Sequence, residues 1–172
     1  MISWICFDWN LAGDEIPALP APPLTLRSCD RGDRDVVLKV LLDSFAMDTA
    51  WGDVARRIEE AMEDCVKQAF DSPEPACVVA QHGQRVVGAS LLDARSGASN
   101  HLVSGPMILH EYRNRGVGSA LLAGSLRFLR SRGLESARGV TRPGSTVARF
   151  VYPKFGGVQS SFAGDPFEAS RG

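Results

Sequence analysis

Between His110 and Leu122 the chain reads HEYRNRGVGSALL, two glycines one residue apart with arginines just before them and a leucine-rich run just after. A β-rich run, HLVSGPMIL, ends where this stretch begins. A helical pattern from Val117 to Arg132 continues it, with Leu122, Leu126 and Leu129 along one face and Gly133 as a stop. A strand that enters a helix through so tight a turn leaves several backbone N–H groups without intrahelical partners, at the positive end of the helix dipole. Gly116 and Gly118 remove the Cβ atoms that would keep an anion off that backbone. A pyrophosphate suits such a site, with Arg113 and Arg115 adding positive potential. Glycine spacing alone does not say which one. GVGSAL lacks the third glycine of GxGxxG, and no lysine follows as in a Walker loop.

The rest of the chain supplies a domain around this turn. PALPAPP, from Pro17 to Pro23, reads as an extended linker between ISWICFDW and the remainder. Leu24 to Ser28 alternates as a strand, and Asp30 or Asp33 can cap a helix with Val36, Val37, Val40, Leu41 and Phe45 on one face. Trp51 to Phe70 predicts a second helix, with Val54, Ile58, Ala61, Met62, Cys65 and Ala69 as its apolar stripe. CVVAQHGQRVVGASLLD predicts a hairpin turning at His82 and Gly83. After the glycine turn and its helix, ESARGVT reads as a strand and STVARFVYPKF as a helix that Pro153 kinks or ends, with Val147, Phe150 and Val151 facing inward. This order predicts an α/β or α+β fold with a central sheet, and 172 residues fit one compact domain.

Composition narrows the function. No apolar run approaches a membrane span and ISWICFDW lacks a basic leader, so a cytoplasmic protein is expected. Cys6, Cys29, Cys65 and Cys77 form no CxxC pair, and His82, His101 and His110 are scattered, so no metal is expected. Net charge is −1, yet His110 to Arg142 carries seven arginines against two glutamates, while Asp30 to Glu74 carries twelve acids against six bases. The basic segment could bind an anion and the acidic one attract a cation. Nucleic acid is not expected: the overall charge is slightly negative and Phe128 is the sole aromatic interleaved with the arginines after the glycine turn.

RNRGVG matches the Q/R-x-x-G-x-G/A loop of the GCN5-related N-acetyltransferases, and MILHEYRNRGVGSALL resembles that family's strand-loop-helix motif throughout. STVARFVYPKFGG is similar to its later N-x-x-A-x-x-L-Y-x-x-x-G-F stretch, with Ala148, Tyr152 and Gly156 in register. The resemblance implies a mixed, mostly antiparallel central sheet flanked by helices, its strands splayed around an acyl-coenzyme A cleft. Residues 1–23 read as an N-terminal strand and proline-rich linker that could complete the sheet, and the resemblance implies 24–172 as the acetyltransferase domain. Acetyl-coenzyme A is then the co-substrate, an amine the acceptor, and the protein a monomer or homodimer.

By the same resemblance the cofactor contacts fall on Ile108, Leu109, His110, Arg113, Asn114, Arg115, Gly116, Val117, Gly118, Ser119, Ala120, Ser145 and Tyr152. The N–H of Ile108 would polarise the acetyl carbonyl. Tyr152 would return a proton to the departing thiolate. No acid stands where relatives carry a catalytic glutamate, Leu102 and Val140 falling near those places, and His101 is the substitute base. Asp43, Asp48 and Asp53, with Trp51, favour a cationic amine. A coenzyme A binding module without turnover is the alternative.

Four features depart from the pattern, three residues and a length. His110 stands in place of proline, Ser145 in place of asparagine, and Gly157 in place of phenylalanine, which predicts a thinned core under the last helix. After Gly157 only fifteen residues remain, enough for one strand where the family has two. ISWICFDW, alternating from Ile2 to Trp9, is the candidate to cover the edge this leaves.

Overall fold

The computed structural model describes residues 3–13 and 15–167, so Ile2 of the predicted N-terminal alternation lies outside the described residues. Among the described residues seven strands form two sheets. In one, β1 (Trp4–Asn10) lies between β6 (Ser136–Thr141) and β7 (Val158–Phe162), antiparallel to both. In the other, β2 (Thr25–Ser28), β3 (Cys77–His82), β4 (Arg85–Leu91) and β5 (Met107–Ile108) follow one another antiparallel. Among the described residues no helix is long and apolar enough to cross a membrane.

Why β1 sits inside its sheet follows from its sequence. WICFDW is apolar on both faces, which suits a strand buried on both sides. Trp4 and Cys6 point into a core built with α1 (Arg34–Ala46) and α2 (Ala55–Phe70), whereas Phe7 and Trp9 point into a second core with α3 (Val117–Ser131). Asp8 is placed opposite Arg138, and their side chains pair at 2.8 Å. The segment pairs along β6 on one side and β7 on the other, so it fills the middle of the sheet and the exposed strand β7 forms an edge.

Local signals explain the helices. Asp30 caps a 3-10 turn at Arg31–Asp33 in a reciprocal capping box, and Asp33 is clamped by Arg27 at 2.7 and 2.9 Å. The second helix begins later than predicted, after a 3-10 stretch at Thr49–Val54, and its inner stripe is Ile58, Met62, Val66 and Phe70. The last helix, α4, spans only Thr146–Phe150. Val147 and Val151, four apart, take its inner face. Phe150 therefore turns outward and is 61% exposed, against the inward placement predicted for it.

HLVSGPMIL is not one strand. Gly105 adopts φ +68° and Pro106 follows, so only Met107–Ile108 joins the ladder. Before that break, His101 and Leu102 donate their N–H groups to the carbonyl of Arg138, and Asn100 Oδ1 accepts from Val140 N. The two sheets are thus joined at Asn100–Leu102, and beyond it β5 and β6 are not paired with each other, which leaves a gap between the sheets.

Candidate functional site

The apex of that gap is filled by Tyr152, which is 1% exposed. A Cβ on Gly105 would collide with its hydroxyl, and one on Gly139 would stand 3.2 Å from its ring. Both glycines therefore make room for the same phenol, Gly139 from β6 and Gly105 from the loop before β5. Phe7 and Trp9 meet the ring edge-on at 5.5 and 5.2 Å. Burial pushes the Tyr152 hydroxyl above its ordinary value, which keeps it protonated.

In front of the apex a cleft of about 210 Å³ opens between β5, the start of α3 and α4. Among the residues expected from the sequence, Ile108, Arg113, Asn114, Gly116, Val117, Gly118 and Ser119 line it. The start of α3 carries no capping side chain, because Gly116 at φ +77° takes the cap position. The first helical bond is Ala120 N to Gly116 O at 3.1 Å. Among the described residues, the N–H groups of Val117, Gly118 and Ser119 meet no backbone acceptor. Three uncapped donors at the positive end of a 15-residue helix fit an anion.

The ladder sets the direction of the Ile108 peptide. Leu109 donates to Val87 O at 2.9 Å, so with Ile108 opposite Gly88 the alternation of an antiparallel pair turns Ile108 N–H and C=O away from β4. That side is the gap. The Ile108 carbonyl accepts from Arg113 Nε there at 3.4 Å.

Other expected residues are placed elsewhere. Leu109 spends its N–H on β4, His110 is exposed in a 3-10 turn, and Ala120 is buried in the core of α3. The guanidinium of Arg113 reaches Ser44 O at 3.2 Å, and that of Arg115 lies over the Tyr112 ring at 5.6 Å. Ser145 is wholly buried. Its hydroxyl caps α4 by accepting from Ala148 N and shares a hydrogen bond with Thr141 Oγ1 at 2.8 Å.

His101 is not brought to the cleft. Its Nδ1 accepts from Arg138 N at 3.0 Å, which leaves Nε2 to donate to Arg95 O at 3.0 Å. Neither ring nitrogen offers a lone pair to a substrate, so the sequence-based assignment of a base to His101 is corrected. The acidic turn is likewise spoken for. Asp53 pairs with Arg142 at 2.6 Å, Asp43 with Lys39 at 2.8 Å, and Asp48 accepts from Ala50 N and Thr146 N. Only Asp48 of the three lines the cleft, beside Trp51.

Sequence reasoning missed Lys154, Thr146 and Phe150 as lining residues. Lys154 stands two residues after Tyr152 and could have been found from that spacing; its Nζ donates to Ser119 Oγ at 2.7 Å. A larger cavity, about 850 Å³, lies between α2, the end of β4 and the 93–100 loop. No residue of the glycine turn borders it; that turn opens into the smaller cleft.

Two antiparallel sheets parting over an uncapped, glycine-opened helix define an acetyltransferase-type fold. In that fold the chain is similar to a GCN5-related N-acetyltransferase from Sphaerobacter thermophilus, with a TM-score of 0.68 and 18% identity over 93% of this chain and 49% of that one. It is also similar to a GCN5-related N-acetyltransferase from Kribbella flavida, at 0.56 and 15%, covering 95% and 59%. The chain spans about half the length of these proteins. No curated protein matches it by sequence. The sequence model of the Acetyltransferase (GNAT) family matches residues 41–156, more than half of the chain, and the chain belongs to that family.

Proposed function

We propose that the protein is an acetyl-coenzyme A dependent N-acetyltransferase acting on an amine in a ternary complex. One observation carries the reading. The uncapped N–H groups of Val117, Gly118 and Ser119 and the outward N–H of Ile108 open into the same cleft. When bound, acetyl-coenzyme A supplies the activated acyl group. The α3 N–H groups hold its diphosphate, and the Ile108 N–H lies along β5, where an acyl oxygen gathering charge would be stabilised. Tyr152, kept protonated by burial, is the proposed proton donor to the leaving sulfur; its hydroxyl packs against Gly105, behind the residues that line the cleft. Trp51, Phe150 and Asp48 border the acceptor's side. With Asp43 and Asp53 already paired, the acceptor is an amine that need not be cationic.

A second reading is favoured by the ionisable groups themselves. Of those lining the cleft, Asp48, Arg113 and Lys154, none is a free base, which suits a coenzyme A binding module with little turnover. Both readings predict coenzyme A binding. Thiol release from acetyl-coenzyme A across a chemically diverse panel of amines separates them: release above background for any amine supports the enzyme, and background throughout supports the module.

A further inference from the structure

Of the arginines that the sequence offers to the diphosphate, Arg115 lies over Tyr112, and Arg113 lines the cleft but is engaged by Ile108 O and Ser44 O. Lys154 is the cation directed at the α3 N-terminus, with Nζ 2.7 Å from Ser119 Oγ. By itself this is an unfavourable arrangement. A positive side chain at the positive end of a helix is repelled by the dipole, and Ser119 supplies a neutral acceptor only. An anion between the ammonium and the N–H groups of Val117, Gly118 and Ser119 would reverse the sign of that interaction.

The position is also fixed. The Lys154 carbonyl accepts from Trp9 Nε1 at 3.0 Å, and Phe155 and Gly156 follow in left-handed conformations, at φ 58° and 79°. The chain therefore turns sharply just after the lysine, with the backbone anchored and the side chain crossing to α3.

We propose that Lys154 is the side chain that neutralises the diphosphate of the acyl carrier, taking the part expected of Arg113 and Arg115. This rests on the coenzyme A reading above. It commits to a diphosphate, so a carrier arm lacking that group should not depend on Lys154.

The test is the affinity of wild-type protein, Lys154→Met and Lys154→Arg for coenzyme A and for pantetheine, by calorimetry, with the thermal midpoint of each free protein. Lys154→Met should weaken coenzyme A at least roughly tenfold, the scale of one charge-assisted hydrogen bond. Lys154→Arg should restore most of it, and pantetheine should bind all three alike. The free Lys154→Met protein should melt no lower than wild type, since a repelled charge has been removed. Unchanged coenzyme A affinity in Lys154→Met, or an equal loss for pantetheine, overturns the assignment. Wild-type protein that binds no coenzyme A overturns the reading on which it rests.

Discussion

Trp9 donates its indole N–H to the carbonyl of Lys154 at 3.0 Å, so the first strand of the chain holds a cleft residue 145 positions away. The same indole meets Tyr152 edge-on at 5.2 Å. One side chain of β1 thus supports two residues of the candidate site. Truncating a buried tryptophan costs about 3–5 kcal/mol, and Trp9→Ala is expected to lose that much in urea unfolding. Trp9→Phe keeps an aromatic ring but removes one of the two donors to the Lys154 carbonyl, the Gly157 N–H remaining at 3.2 Å, at a smaller cost of about 0.5–1.5 kcal/mol. Wild-type stability in Trp9→Phe would show that the hydrogen bond contributes nothing.

Gly157 is where the chain departs from the family's phenylalanine, and Trp9 explains it. A Cβ there would overlap the Tyr152 carbonyl and stand 2.8 Å from Trp9 Nε1. Gly157→Ala is therefore expected to destabilise by about 1–3 kcal/mol or more through overpacking. Gly52, whose Cβ would meet nothing within 4 Å, is the control, and Gly52→Ala should stay within about 0.5 kcal/mol of wild type. Equal melting shifts for the two variants would sink this account.

These two residues mark how far the sequence could be read. The glycine turn, the hairpin, the helix from Val117 and the mixed fold were legible because each depends on local pattern: period, caps and turn residues. The place of β1 was not. ISWICFDW showed two apolar faces, but which strands it separates depends on partners more than a hundred residues away. The absent phenylalanine at 157 read as a thinner core, when the volume is supplied by Trp9 from the other end of the chain. The hydrogen bonds of His101 and Ser145 were out of reach for a related reason: each satisfies buried backbone or hydroxyl groups that only the fold brings near.

Ser145 separates a structural from a ligand role. Its hydroxyl caps α4 and bonds Thr141, so Ser145→Ala should lose about 1 kcal/mol of stability. Coenzyme A affinity, measured well below the melting temperature, should not change. A fall in affinity with stability unaltered would return Ser145 to the cofactor.

Tyr152 predicts behaviour at high pH. Burial raises its ionisation above the value of a free phenol, so the native protein keeps the proton after the unfolded chain has released it. The unfolded state then binds fewer protons, and stability falls as pH rises. The contribution is complete below about pH 10, where a free tyrosine ionises, and is lost as pH climbs toward the raised native value. In a Tyr112→Phe background, which leaves Tyr152 as the chain's only tyrosine, tyrosinate absorbance should appear together with unfolding and not before it. Tyr152→Phe should flatten the alkaline limb of the stability profile relative to wild type. Tyrosinate forming in a protein that keeps its native circular dichroism would mean that the phenol is open to solvent, and its place at the sealed apex between Gly105 and Gly139 would have to be given up.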